Sequence, residues 1–185
     1  MTAGPEAGRR PVAAEPAGYR AAMARLATGV TVVTTTTPAG PVGMTASAVC
    51  SLSLEPVQLL VCVAQALPTH RALGASPAFA VNVLGEGQEG LAERFATPGI
   101  DRFAGVGLRG DQDLPVLAEA LAWFVCRTED RLPGGDHSIF IGRVEACGHD
   151  EAGGRPLVYF GRDFATLETP EAARWRSFVE AGAVV

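Results

Sequence analysis

From Gly43 to Ser53 the chain reads Gly-Met-Thr-Ala-Ser-Ala-Val-Cys-Ser-Leu-Ser, a run of small and hydroxyl-bearing side chains. Such a segment lets a flat ligand approach the backbone, while free N–H groups and the hydroxyls of Thr45, Ser47 and Ser51 can hold an anion or a ring carbonyl. A hydrogen bond to a charged group is worth about 1.5–3 kcal/mol, so three or four would retain a phosphate without a lysine. Arg71 is the next cation along the chain, because Thr28 to Ser53 contains neither Arg nor Lys. A second candidate is Gly134-Gly135-Asp136-His137-Ser138-Ile139-Phe140-Ile141-Gly142. Its Gly/Gly/Asp turn predicts that His137 opens a strand beside glycines and meets a ligand, and that Gly142 permits a close backbone approach.

Other chemistry finds little support. Cys50, Cys62, Cys126 and Cys147 include no C-x-x-C pair, and His70, His137 and His149 are scattered, so no metal centre is expected. Cys50, Cys62 and Cys126 stand among apolar residues and read as small buried hydrophobes. The chain has no Lys, which removes Schiff-base and P-loop chemistry, and its one Asn is Asn82.

The elements that must position these residues are mostly strands. Tyr19, Met23 and Leu26 give a short amphipathic helix over 19–27. The β-branched run 28–37 predicts a strand, as does 42–49 after the Pro38-Ala39-Gly40-Pro41 turn. Further strands are expected at 57–64, 79–84, 120–128, 138–147 and 157–160. Helical turns are expected at 68–75 and 86–95, and a long loop at 97–113. Residues 1–17 read as a disordered lead, 18–168 as one domain, and 169–185 as a helical extension capped by Thr169 with Pro170 at its first position. Short strands with few helices suggest a closed or split β-barrel rather than a βαβ sheet. No G-x-G-x-x-G follows a strand, which argues against a dinucleotide-binding Rossmann domain.

The length of 185 residues and 48% hydrophobic content suit one domain with a substantial core. A net charge of −5 argues against nucleic acid or an anionic membrane as the partner. No apolar stretch reaches bilayer-spanning length and no targeting segment is visible, so a soluble cytoplasmic protein is expected.

Taken in order, Ala27 to Thr34, Gly43 to Ser47, Ser51 to Pro56, Phe79 to Leu84, Arg94-Phe95 with Asp101-Arg102-Phe103, Gly135-Asp136-His137 and Pro156 to Phe160 resemble the flavin reductase family of FMN-binding split barrels. The likeness extends over about residues 20–167. It implies a mainly β, six-stranded Greek-key split β-barrel with a few flanking helices, forming a homodimer with flavin (FMN, or FAD) at its interface. By this resemblance Thr28, Gly29, Val30 and Thr31, with Thr45, Ala46 and Ser47, line the isoalloxazine and ribityl portions. Ser51 and Leu52, beside Cys50 and with Arg71, face the phosphate side, and Asn82 lies on a neighbouring strand. Gly135, Asp136 and His137 help place the nicotinamide of NADH, or NADPH. The chain departs from the family at Ala48-Val49-Cys50, where relatives often carry Ser, Phe and Thr.

The implied activity is hydride transfer from nicotinamide to flavin, with reduced flavin supplied to a partner monooxygenase. Three alternatives stand beside it: a flavoenzyme of the same fold that keeps its flavin and acts on an organic substrate, a non-catalytic flavin-binding protein, and a ligand-free β-barrel interaction module.

Overall fold

The computed structural model describes residues 15–110, 113–151 and 153–167. Helix α1 (Pro16–Met23) begins with proline at its first turn, where a missing N–H costs nothing. It starts inside the segment expected to be a disordered lead; the remainder of that lead, 1–14, lies outside the described residues, as does the expected C-terminal helix. Strands β1 (Thr28–Gly29) and β2 (Thr31–Thr37) follow. A turn with Gly40 at φ +117° then leads to β3 (Gly40–Ala46). Next come β4 (Val49–Leu54), β5 (Val57–Ala64), α2 (Pro68–Ala75), β6 (Ala78–Val83) and α3 (Glu89–Ala96). The chain continues with the 13-residue strands β7 (Ala122–Gly134) and β8 (His137–His149), and with β9 (Val158–Phe160) and β10 (Asp163–Ala165).

Seven strands form one antiparallel sheet in the order β3-β2-β6-β7-β8-β5-β4, and β1-β9-β10 form a smaller one. The mainly β expectation is met, with seven strands in the large sheet where six were expected. The extra strand is β4, most of which falls in the hydroxyl-rich segment 43–53 expected to face a ligand. The two edge strands β3 and β4 are joined by Ser47-Ala48 alone. In a flat sheet they would lie about 29 Å apart, six spacings of about 4.8 Å. Two linking residues reach only about 11 Å. The sheet therefore curls until its edges meet at this corner.

Period-2 alternation separates two cores. Val33, Val81, Val61, Val63, Phe79, Cys126 and Phe140 pack inside the curl with Leu73 of α2. Val30 and Val32 face the other way, onto Ala92 and Phe95 of α3 with Leu84, Leu117 and Leu157. Gly142 sits where an added Cβ would come within 2.6 Å of the Phe79 ring and 2.8 Å of Cys126 Cβ. The close approach expected at this glycine is made by a core phenylalanine.

Candidate functional site

The corner where β3 passes into β4 is one wall of a groove. Val30, Thr45, Ala46, Ser47, Ala92, Glu93, Ala96, Tyr159 and Phe164 line a cavity of about 270 Å³ there. Thr45 Oγ1 donates to the Ala92 carbonyl at 2.6 Å and so docks α3 against β3. Ser47 is exposed and Gly29 has open space where a side chain would stand, so small residues keep the floor accessible. Tyr159 and Phe164 meet edge to face at 6.0 Å and supply an aromatic side.

A second cavity of about 450 Å³ continues along the β3 edge, and Ala96 lines both. Its wall includes Val42, Gly43, Thr69, Arg102 and Phe103. Arg102 donates through Nη1 to the Gly43 carbonyl at 2.6 Å and through Nε to the Thr97 carbonyl at 3.0 Å. Phe103 packs edge-on against Phe95 at 5.0 Å, and Asp101 accepts the Phe103 N–H. Arg94 donates to the Ala104 carbonyl. The Arg94-Phe95 and Asp101-Arg102-Phe103 motifs thus clamp the loop after α3 onto the β3 edge. The residues expected to bind flavin include neither Arg102 nor Thr69. The signal for Arg102 was an arginine flanked by an aspartate and an aromatic inside a polar loop. A larger cavity of about 580 Å³, lined by Gly87, Gln88, Leu91, Arg94 and Glu119 among others, contains none of the expected site residues.

The expected residues divide accordingly. Val30, Thr45, Ala46 and Ser47 come together in the groove, with Thr28 and Gly29 paired to Tyr159 and Val158 at its side. Cys50, Ser51 and Leu52 lie on the exposed edge strand β4, so the reading of Cys50 as buried is corrected; Cys126 is buried and Cys62 half-buried. Arg71 is exposed on α2 and lines neither cavity. Asn82, expected to bind the cofactor, is fully buried: its amide donates to the Val32 carbonyl at 3.0 Å, and its oxygen accepts the Leu117 N–H at 2.8 Å. The Thr31 hydroxyl is likewise buried and spent on the Ala46 carbonyl at 2.7 Å. Both side chains face protein because β2 and β6 are covered on both faces, with Thr31 to Thr35 and Phe79 to Asn82 buried without a break, and Asn82 staples the 115–117 segment to the sheet.

Gly135-Asp136 forms the two-residue turn of the β7–β8 hairpin, with Gly135 at φ +70° as a first-position glycine. His137 Nδ1 lies 2.7 Å from Asp136 Oδ1. The imidazole's hydrogen bond and charge hold the Asp136 carboxyl below its ordinary range. Ladder register relates this turn to the groove corner. The Cys62 N–H donates to the Ala48 carbonyl, Cys62 pairs with Ile139, and Ala64 pairs with His137. His137 is therefore two strands across and two residues along from Ala48, about 12 Å by strand geometry.

A family model for the flavin reductase like domain matches residues 23–168. The chain belongs to this family. It is 43% identical over 162 residues to the reductase component of a 4-nitrophenol 4-monooxygenase/4-nitrocatechol 2-monooxygenase from Rhodococcus opacus, covering 87% of this chain and 86% of that one. It is 40% identical to the FMN reductase (NADH) RutF 2 of Methylorubrum extorquens, over 88% of this chain and 95% of that protein. Among solved structures, the NADH:FAD oxidoreductase SgcE6 of Streptomyces globisporus, in complex with NAD and FAD fragments, superposes with a TM-score of 0.79 at 36% identity, covering 85% of this chain and 95% of that one.

Proposed function

We propose that this protein is an NADH-dependent flavin reductase that supplies reduced flavin to a partner monooxygenase. The observation that carries the reading is the β3-edge groove, in which Val30 and Thr45-Ala46-Ser47 form an open floor in a chain of this family. The groove fits a flavin in its donor set: small residues at the floor, an exposed Ser47 hydroxyl, two aromatic rings, and an arginine at the far end. When bound, the flavin supplies a ring system that accepts a hydride from reduced nicotinamide.

The chain's own residues then bind and orient. Gly29, Val30 and Thr45 to Ser47 would lie along the ring and ribityl portions, with their backbone groups as donors. Arg102 and Thr69, at the other end of the β3 edge, would face the phosphate, alongside Ser51 and Leu52. Gly135, Asp136 and His137 would position the nicotinamide, with the Asp136 carboxylate fixing the imidazole. No side chain is asked to act as nucleophile or base, because the chemistry belongs to the two cofactors and the protein contributes their approach. Relatives with FMN and with FAD in their names support both flavins as ligands.

Leu52 and Leu54 of β4 and Val57 at the start of β5 are 42%, 65% and 49% exposed, which supports burial against a second copy in a homodimer. No helix among the described residues is long and apolar enough to cross a membrane, and a cytoplasmic location belongs to this reading.

Anaerobic titration tests the assignment. With excess NADH and FMN, a reductase converts many equivalents of free flavin per protein. Reduction that stops at one equivalent would instead indicate a resident prosthetic group.

A further inference from the structure

The hairpin that carries His137 outruns the sheet on one side. β6 pairs with β7 only from Val83↔Ala122 to Ala78↔Arg127, whereas β7 pairs with β8 as far as Gly134↔His137. Residues 129–134 therefore have a ladder partner only on β8, and they are exposed. β8 is held on its other side by the β5 ladder, from Gln58↔Arg143 to Ala64↔His137, so the overhanging end of β7 and the outward set of the tip depend on what packs against their faces.

Beyond the β5 ladder, two side-chain ties reach the tip. From the end of β5, Gln65 Nε2 donates to the carbonyls of Gly135 at 3.3 Å and His137 at 3.0 Å, and the Gln65 N–H donates to the Asp136 carbonyl at 3.0 Å. From α2, the His70 side chain reaches under the hairpin. It is 8% exposed, its Nε2 lies 2.9 Å from Ser138 Oγ, and its ring meets Phe140 edge-on at 5.5 Å. Arg131 of β7 closes over the same place, with its guanidinium 6.0 Å from the Phe140 ring and close above Gly74 of α2.

An apolar side chain would fill this space against Phe140 equally well. The histidine adds a directional bond to β8, at the residue next to His137. Neighbours on a strand project to opposite faces, so holding the Ser138 hydroxyl inward sets the plane from which the His137 imidazole points outward. Burial and the Arg131 charge favour the neutral ring, which bonds a hydroxyl without needing a counter-ion.

We infer that His70 is a positioning residue for the nicotinamide: through Ser138 it fixes the stretch of β8 from which His137 meets the coenzyme. This rests on the proposed role of His137.

The test measures kcat and the KM values for NADH and FMN in His70→Leu, His70→Gln, Ser138→Ala and His137→Ala. His70→Leu and Ser138→Ala are each expected to raise the NADH KM about fivefold while the FMN KM stays within about twofold, the signature of lost coenzyme positioning. His70→Gln, whose amide can reach the Ser138 hydroxyl, is expected to keep the NADH KM within about twofold of the parent. An NADH KM unmoved by Ser138→Ala and His70→Leu, while His137→Ala raises it, overturns the role of His70 alone. An NADH KM unmoved by His137→Ala overturns the reading beneath it, and this inference with it. Should His70→Leu not fold, Ser138→Ala and His70→Gln decide the question, since both make small changes in volume.

Discussion

The Arg102 guanidinium donates to the Gly43 carbonyl at 2.6 Å, across 59 residues of sequence, and so fastens the loop after α3 to the outer strand of the curled sheet. The same side chain holds the Thr97 carbonyl. These bonds give one end of the β3-edge groove its wall and leave a cation beside it. Arg102→Ala is expected to raise the FMN KM about tenfold, equivalent to about 1.4 kcal/mol, with a much smaller change in the NADH KM. Steady-state kinetics with each substrate varied in turn would check this, and an equal effect on both would place Arg102 outside the flavin site.

Asn82 is expected to matter for stability and little for ligand affinity. Asn82→Leu keeps the volume but strands the buried Leu117 N–H and removes the donor to the Val32 carbonyl. Leaving such groups unsatisfied costs about 2–4 kcal/mol together. The urea midpoint should fall by that loss divided by the slope, which stays unchanged, while flavin affinity measured on the folded fraction stays near the parent value.

The cysteines offer a chemical map. Burial, followed by the charges of Glu145 and Cys147, pushes the Cys126 thiol up to about 12. Cys50 and Cys147 are exposed. Alkylation followed by peptide mass analysis should label Cys50 and Cys147 first, and Cys126 only on unfolding. Saturating FMN should slow labelling of Cys50 and leave Cys147 unaffected. Equal rates at Cys50 with and without flavin would remove β4 from the flavin contact.

Stability should also carry a His70 component on the acid side. Burial, and secondarily the Arg131 charge, lower its pKa below the ordinary 6.5. The unfolded chain then binds the proton more readily than the folded one, so this contribution is full above about pH 6.5 and is lost as the pH falls toward the folded value. Groups packed against the ring are Arg131 from β7 and Ser138 and Phe140 from β8. Thermal unfolding of the parent and of His70→Gln across this range should show a steeper acid decline in the parent. Parallel curves would contradict it.

The strands were largely legible because β-branched runs such as Thr31–Thr37 and apolar runs such as Val57–Ala64 leave little choice of backbone. β4 was not, since Cys50-Ser51-Leu52-Ser53 is an edge strand without a buried face to impose alternation. The far half of β7 was hidden for the same reason: Glu129 to Gly134 are exposed, and half of them are charged. Within the site, Thr45 to Ser47 announced themselves by smallness and hydroxyls. Asn82 and Thr31 carried an equally polar signal, but their partners lie 15 to 50 positions away in sequence, beyond what local pattern can register. Gly142 looked like a ligand approach and is a notch for Phe79.

The most direct test is aerobic NADH consumption by the purified protein, run in parallel with FMN, with FAD and without added flavin. A flavin reductase turns over slowly without added flavin, and its rate rises to saturation with FMN or FAD. Flavin-independent turnover, or none with either flavin and either NADH or NADPH, would contradict that reading.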